Sequence, residues 1–502
     1  MRIKNEIYWI PRILWCLFGL ACMLGIRQWF SGEFVIPLAE FSIGPARIPF
    51  GIRMDALSSV LFTMVSLLAA VVARYSVRYL DGERGQIRFF WNLLFTAVAV
   101  SLLVTSNGLV MLMFAWIGSS LGLHRLLTFY SERPNALRAA RRKFVVSRLG
   151  DLALLAGCFL TFKIYGTFEF SELFQLANAA APDSTQAQFL PWIGFLFALG
   201  AMTKSAQYPF HSWLPDTMET PAPVSALMHA GIINAGGFLM IRLSPLLQHS
   251  DGAHILLLGM GAFTAAFGSL VMITQNNIKR KLAYSTISQM GMMMFACGLG
   301  LFSVALFHMV AHSFYKAHAF LSTGTLVEES KKVRFKARPA SSGQLVFSTA
   351  LGAAVLAAGL WFDGGVYFAH SSYLAVLLLG VFQVIGGGSL HEEDSMKGVV
   401  FRVGAIMLGA FVAFAGLEYL VHHHLRELVP VIWDSTEWSS PHAIAIFLSY
   451  LIFASTLWIP TLLKDPGSEI SRKLYLYLWN GGYFGVTRQV GSSNAFQTGR
   501  SM

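Results

Sequence analysis

The amino-acid sequence predicts an all-α, polytopic membrane protein of about 14 transmembrane helices, at least one of them broken. Three observations carry this. Of 502 residues, 55% are hydrophobic and only 13% are charged, whereas a soluble chain of this length would carry about 25% charge. The apolar residues gather in runs of roughly 17–25, the length that crosses a ~30 Å hydrocarbon core as helix. Basic residues alternate from one loop to the next, as the positive-inside rule requires.

The runs place spans near 7–29, 54–73, 89–105, 108–127, 144–165, 189–213, 224–247, 255–273, 283–299, 301–327, 345–362, 373–390, 403–421 and 442–463. Backbone facing lipid must satisfy its own hydrogen bonds, so these runs should be helices and not open strands. The first run contains Arg12 and has the look of a signal peptide. No small-residue cleavage site follows Leu24, however, and further spans come after it. Loops after the second, fourth, eighth and tenth spans carry the basic clusters, including Arg74 and Arg78, Arg133 to Lys143, Lys279 to Lys281, and Lys331 to Arg338. Loops after the third, fifth, seventh and ninth spans hold no Lys or Arg, and they include Glu169, Glu172, Asp183 and Asp251. This alternation counts 189–213 as one span and places both termini on the cytoplasmic side of the membrane. The net charge of +11 is then mostly topology and not a nucleic-acid surface.

Several chemistries have no motif to stand on. Cys16, Cys22, Cys158 and Cys297 lie singly in apolar runs, with no CxxC or Cys/His cluster for an iron–sulfur or structural zinc site. Neither a GxxxxGK[ST] phosphate loop nor a GxGxxG turn occurs. The tract His422 to His424, at the end of a span, fits a solvated helix end better than a metal site. No cofactor is expected in this chain, and energy for transport must come from an ion gradient or a partner chain.

Ionisable side chains in mid-membrane cost several kcal/mol, so each is a functional hypothesis. Arg148 and Asp151 stand three apart in FVVSRLGDLALL and can pair on one helix face, as a site carboxylate or as a plain tether. Lys204 lies deep in an apolar run that Pro209 then interrupts, which predicts a helix broken inside the membrane beside a titratable group. Histidine titrates near neutrality, and His229 stands in the next span. His308, His312 and Lys316, spaced by four, form one stripe of a later helix. That stripe suits a proton wire. A zinc site on His308 and His312 competes, without an evident third ligand and with Lys316 repelling the metal. Late in the chain, Gly386, Gly387 and Gly388 end an apolar run ahead of His391, Glu392, Glu393 and Asp394. This is either a second broken helix or a cytoplasmic loop with an acidic cluster. Orientation does not require that cluster, which marks Glu392, Glu393 and Asp394 as candidate contacts for a soluble partner.

Three stretches, GAMTKSAQYPFHSWLPDTMETPAPVSALMHAG, NNIKRKLAYSTISQMG and FHMVAHSFYKAHAFLSTG, resemble the antiporter-like family. That family includes subunit L of the respiratory NADH–quinone oxidoreductase and the Mrp sodium/proton antiporters. The match is dense across 140–330, which divides the chain into N-terminal helices (1–139), an ion-translocation core (140–330), and C-terminal helices with a cytoplasmic tail (331–502). The resemblance implies that Lys204 is the central lysine of the broken helix, that His229 and Lys316 are relay partners, and that Asp151 is a nearby carboxylate. Departures are also plain. Ile117 follows Trp116 where the family has a glutamate, no second broken-helix lysine follows residue 345, and the chain stops where subunit L continues into a lateral helix. These features are similar to a shortened branch, the membrane subunits of the DAB inorganic carbon accumulation complex. That likeness implies a soluble, zinc-dependent, carbonic-anhydrase-like (DabA-like) partner hydrating CO2, driven by cation flow through this chain. A respiratory or Mrp-type subunit, and a non-conducting anchor for a soluble enzyme, are the competing expectations.

Overall fold

Uninterrupted apolar runs close their own backbone hydrogen bonds as helices, and the chain does this along most of its length. The computed structural model describes residues 2–44, 46–179, 187–323, 342–363, 366–387, 416, 440–463, 465 and 467–483. The helices are α1 (Arg2–Ser31), α2 (Ala56–Tyr79), α3 (Gln86–Val104), α4 (Leu109–Leu127), α5 (Pro134–Tyr165), α6 (Phe170–Ala179) and α7 (Leu190–Lys204). Then follow α8 (Ala222–Ala230), α9 (Ala235–Arg242), α10 (Ser244–Leu247), α11 (Asp251–Thr274), α12 (Ile278–Gly298) and α13 (Phe302–Leu321). Last come α14 (Ser342–Asp363), α15 (Val366–Gly387), α16 (Ser440–Leu462) and α17 (Glu469–Trp479). Among the described residues, nine helical spans are long and apolar enough to cross a membrane, α8 and α9 counting together as one.

The helical membrane class agrees with the sequence, and three details differ. An antiparallel hairpin, β1 (Phe34–Ile43) and β2 (Ala46–Met54), connects α1 to α2, with Phe34 opposite Met54 and a register shift between Pro37 and Ala39. Each strand contains a proline, Pro37 and Pro49, a residue that argues against a strand in sequence. Helix α5 starts at Pro134, with proline in the first turn where its missing N–H costs nothing. Arg138 to Lys143 therefore belong to a helix and not to the loop expected before residue 144. As expected from Pro209, the run 189–213 is broken: it is helical only to Lys204, followed by turns and a 3-10 turn at Pro215–Glu219. The run 224–247 is likewise split, by a 3-10 turn at Ile232–Asn234. Gly386 and Gly387 fall in the last turn of α15. Gly388, His391, Glu392, Glu393, Asp394, His422 to His424 and nearly all of the run 403–421 lie outside the described residues.

Close approach through small residues holds the bundle, as expected where lipid gives helices no hydrophobic reason to associate. Between α11 and α12, a side-chain carbon at Gly261 would stand 2.6 Å from Phe295 N, and one at Gly268 2.7 Å from Ser288 N. Between α5 and α7, a carbon at Gly150 would overlap Thr203 Oγ1, and one at Gly200 would overlap Leu154 Cδ1. This second contact brings Asp151 and Lys204, each next in sequence to one of those residues, to the same level.

At the start of α2, Asp55 caps the helix by accepting from Ser58 N at 2.8 Å. Its carboxylate also takes Arg53 Nε at 3.0 Å and is bridged by both terminal nitrogens of Arg242 at the end of α9. Arg242 in turn donates to Ser58 Oγ at 2.7 Å, and Arg53 reaches Ser171 Oγ at 2.7 Å and Glu33 at 2.8 Å. Burial on its own would raise the Asp55 carboxyl; Arg242, Arg53 and the Ser58 N–H outweigh it and hold the group at about 2. Sequence reasoning passed over Arg242, although an arginine inside an apolar run was signal enough.

The α5–α7 contact can be tested directly. Gly150→Val should cost about 1–3 kcal/mol through overpacking, read as a lower unfolding midpoint in detergent. Gly259→Val, with nothing within 4 Å of its new carbon, should leave that midpoint in place.

Candidate functional site

The site forms where helices end inside the bundle. Lys204 is the last residue of α7, and the chain beyond it turns away from the helix axis through Pro209. Its ammonium points to α4, donating to Trp116 O at 3.0 Å and Ser119 Oγ at 2.8 Å, and lies 4.4 Å from the centre of the Trp116 ring. Ser119 donates its own proton to the same Trp116 carbonyl at 2.8 Å. The central lysine is thus seated on neutral oxygens and an aromatic face, with Ile117 at the position where the family glutamate was expected.

One residue further along α4, Ser120 holds a second buried lysine. Lys143 on α5 donates to both Ser120 O and Ser120 Oγ at 2.7 Å. Sequence reasoning missed it because the helix was started too late. With α5 running from Pro134, the spacing Lys143, Ser147, Gly150/Asp151 and Leu154 is a buried helical stripe. Arg148 and Asp151 do pair, Nη2 to Oδ2 at 2.7 Å, with Asp151 buried and Arg148 partly exposed. The contact is an ion pair by distance but is not aligned as a hydrogen bond. Asp151 is also near enough to interact electrostatically with Lys204 and Lys143.

A second cluster repeats the pattern on α12. Lys316 on α13 donates to Leu282 O at 3.1 Å and Ser285 Oγ at 2.8 Å, again a helix carbonyl and the hydroxyl three residues on. The neighbouring Thr286 bonds His229 Nδ1 at 3.1 Å, and the His229 ring stacks on Phe320 at 4.3 Å. His308 and His312 stack at 6.2 Å on the same helix as Lys316, as their spacing predicted. Both ring nitrogens of His312 are buried without a hydrogen-bond partner among the described residues. No third metal-ligating group joins the two histidines among the described residues.

The breaks connect the clusters. Ser205, just past Lys204, donates through Oγ to Ile233 O at 2.6 Å, a carbonyl in the turn between α8 and α9. Asn234 in that turn donates to Ser313 Oγ at 2.8 Å, one residue from His312. Polar groups therefore run from α4 and α5 through both interruptions to α12 and α13, the arrangement that broken helices supply at ion sites.

Comparison with known proteins identifies this architecture. A family model described as NADH:quinone oxidoreductase/Mrp antiporter, transmembrane, matches residues 106–365. A second, for the N-terminus of chain 5 of NADH-ubiquinone oxidoreductase (complex I), matches residues 41–90. The chain belongs to the antiporter-like family. Among its relatives, the probable inorganic carbon transporter subunit DabB2 of Halothiobacillus neapolitanus is 37% identical over 487 residues, covering 94% of this chain and 86% of the relative. NADH-quinone oxidoreductase subunit L of Rhodobacter capsulatus is 39% identical over 295 residues, but only 55% of this chain and 41% of the relative are covered. The solved Mrp complex of a Dietzia species matches with a TM-score of 0.57 at 22% identity, over 95% of this chain and 55% of that one. This antiporter-like chain accordingly shares its fold with the matched part of one chain of that complex.

The position of Asp151 beside Arg148, Lys204 and Lys143 yields a direct test. Asp151→Asn should slow ion flux by about tenfold, equivalent to 1.4 kcal/mol. Glu169→Gln, in the loop between α5 and α6, should stay within about twofold. Flux into reconstituted vesicles measures both, and equal small effects would reduce Asp151 to a tether for Arg148.

Proposed function

We propose that this chain is the cation-translocating membrane subunit of a two-protein inorganic carbon uptake system, with the proton as the ion its titratable row suits. It lies in the bacterial inner membrane with both termini cytoplasmic, and couples ion flow down a gradient to CO2 hydration by a soluble, zinc-dependent partner of DabA-like type. The observation that carries the reading is the buried row Lys143, Lys204, His229 and Lys316, each bonded to helix carbonyls or hydroxyls. An amine bonded only to neutral oxygens can hold or release a proton without breaking an ion pair. A scaffold with no transport role has no use for such groups, which cost stability in lipid.

The choice of inorganic carbon over a respiratory role rests on coverage. The relative named as an inorganic carbon transporter subunit is matched over 86% of its length, against 41% for subunit L. The reaction chemistry belongs to the partner chain. A partner drawing on cytoplasmic CO2 docks on the inner face, where the acidic residues Glu392, Glu393 and Asp394 fall in the assumed topology.

Two experiments test the reading. Lys204→Ala should abolish growth that depends on carbon uptake while expression and co-purification of the partner persist; full growth would remove the ion-path role. Reversing charge at Glu392 and Glu393 to Lys should weaken co-purification in a salt-dependent way and leave the membrane chain itself stable. A full complement of partner on the reversed variant would place the docking surface elsewhere.

A further inference from the structure

Deepening the ion-path reading above, we propose that Lys143 and Lys204 form one two-lysine site that holds a single proton between them, with the Ser119 and Ser120 hydroxyls as its positioning groups. The two lysines come from different helices, α5 and α7, yet their ammonium nitrogens bond adjacent residues of α4. Each is buried. The hydrogen bonds that hold them end on neutral oxygens, the Trp116 and Ser120 carbonyls and the two hydroxyls.

The charge balance around the pair decides its occupancy. On α5, the Asp151 carboxylate is matched by Arg148 at 2.7 Å. On α4, one turn beyond Ser120, stands His124, whose ring packs at 5.4 Å from Phe144 and whose Nδ1 is buried without a hydrogen-bond partner among the described residues. In the 3-10 turn packed against α5, Asp216 is taken by Arg142 at 2.5 Å. With those ions offset, two ammonium groups on neighbouring seats would add two uncompensated charges in a low-dielectric interior, and one of them is expelled as a proton.

A hydroxyl serves both forms of the amine. It accepts an N–H from an ammonium, as Ser119 does while donating to Trp116 O. Rotated, it donates to the lone pair of a free amine. Transfer within the pair moves one proton from the ammonium on one lysine to the amine on the other, leaving the first neutral. A serine on the route releases its own proton on one side as it takes one on the other, so its charge is unchanged. The site thus contains a donor and an acceptor at once, and His124, on the stripe Trp116, Ser120, His124, leads toward it from the cytoplasmic end.

The test reads protonation directly and does not need transport. Full-length protein carrying lysine labelled with 15N at Nζ is reconstituted at neutral pH, and solid-state NMR separates amine from ammonium; Lys204→Met assigns the Lys204 signal. One neutral lysine should belong to this pair in the unaltered chain. Lys143→Arg, which fixes a cation on the neighbouring seat, should turn Lys204 into the amine. Lys143→Gln, of similar length but neutral, should turn it into the ammonium. In vesicles, Lys143→Arg should lower flux per folded protein by about tenfold more than Lys143→Gln does. The same Lys204 protonation state in both variants, or two ammonium signals in the unaltered pair, overturns the shared-proton site and leaves Lys143 a packing residue. Absence of flux in the unaltered chain with the NMR outcome intact would instead refute the transport reading alone.

Discussion

A cation inside a bilayer must find acceptors, and the choice of acceptor determines whether it can ever let its proton go. Here the buried lysines are held by carbonyl and hydroxyl oxygens of neighbouring helices, Lys204 and Lys143 on α4 and Lys316 on α12. A carboxylate in those positions would lower the cost of burying each charge and would also hold the proton in place. Neutral oxygens compensate less and leave both protonation states accessible. Much of the remaining architecture follows from the need to bring hydroxyl-bearing helix faces up to lysines from other segments.

Two devices accomplish this. Glycine contacts, Gly150 and Gly200 between α5 and α7 and Gly261 and Gly268 between α11 and α12, bring backbones close enough for short polar side chains to reach across. Helix interruptions then place Lys204 at a helix end and join the two broken segments through the Ile233 carbonyl. The interruptions are not independent, since the Ser205 hydroxyl satisfies the Ile233 carbonyl of the other one. The first break thereby satisfies a carbonyl of the second, which helps irregular backbone to be tolerated away from water.

The sequence revealed the titratable half of this site and little of its lining. Lys204, His229, His308, His312 and Lys316 stand out because a charge or imidazole in an apolar run is rare. Likewise, the spacing of three between Arg148 and Asp151 suffices to foretell their pairing. Ser119, Ser120, Ser285 and Thr286 give no such signal, because hydroxyl residues are common in membrane helices and usually bond their own backbone. Lys143 was concealed by a boundary: counted as a loop charge, it needed no explanation. The hairpin at Phe34–Met54 was concealed by its prolines, Pro37 and Pro49, which demote a strand, and by the longer apolar runs on either side. The resemblance to the antiporter-like family supplied roles for residues, whereas the neutral seat of Lys204 became visible only once α4 and α7 were placed together.

The Asp55–Arg242 cluster has a mechanical consequence. It rivets the far end of α9 to the start of α2 through several charge-assisted hydrogen bonds. The near end of α9 is the interruption at Ile232–Asn234, which carries the bonds from Ser205 and to Ser313. A short rod clamped at one end and jointed at the other behaves as a lever whose fulcrum is fixed. The jointed tip bonds both the segment that follows Lys204 and α13, so those two elements share one joint while the other end of α9 is fixed by its ion pair.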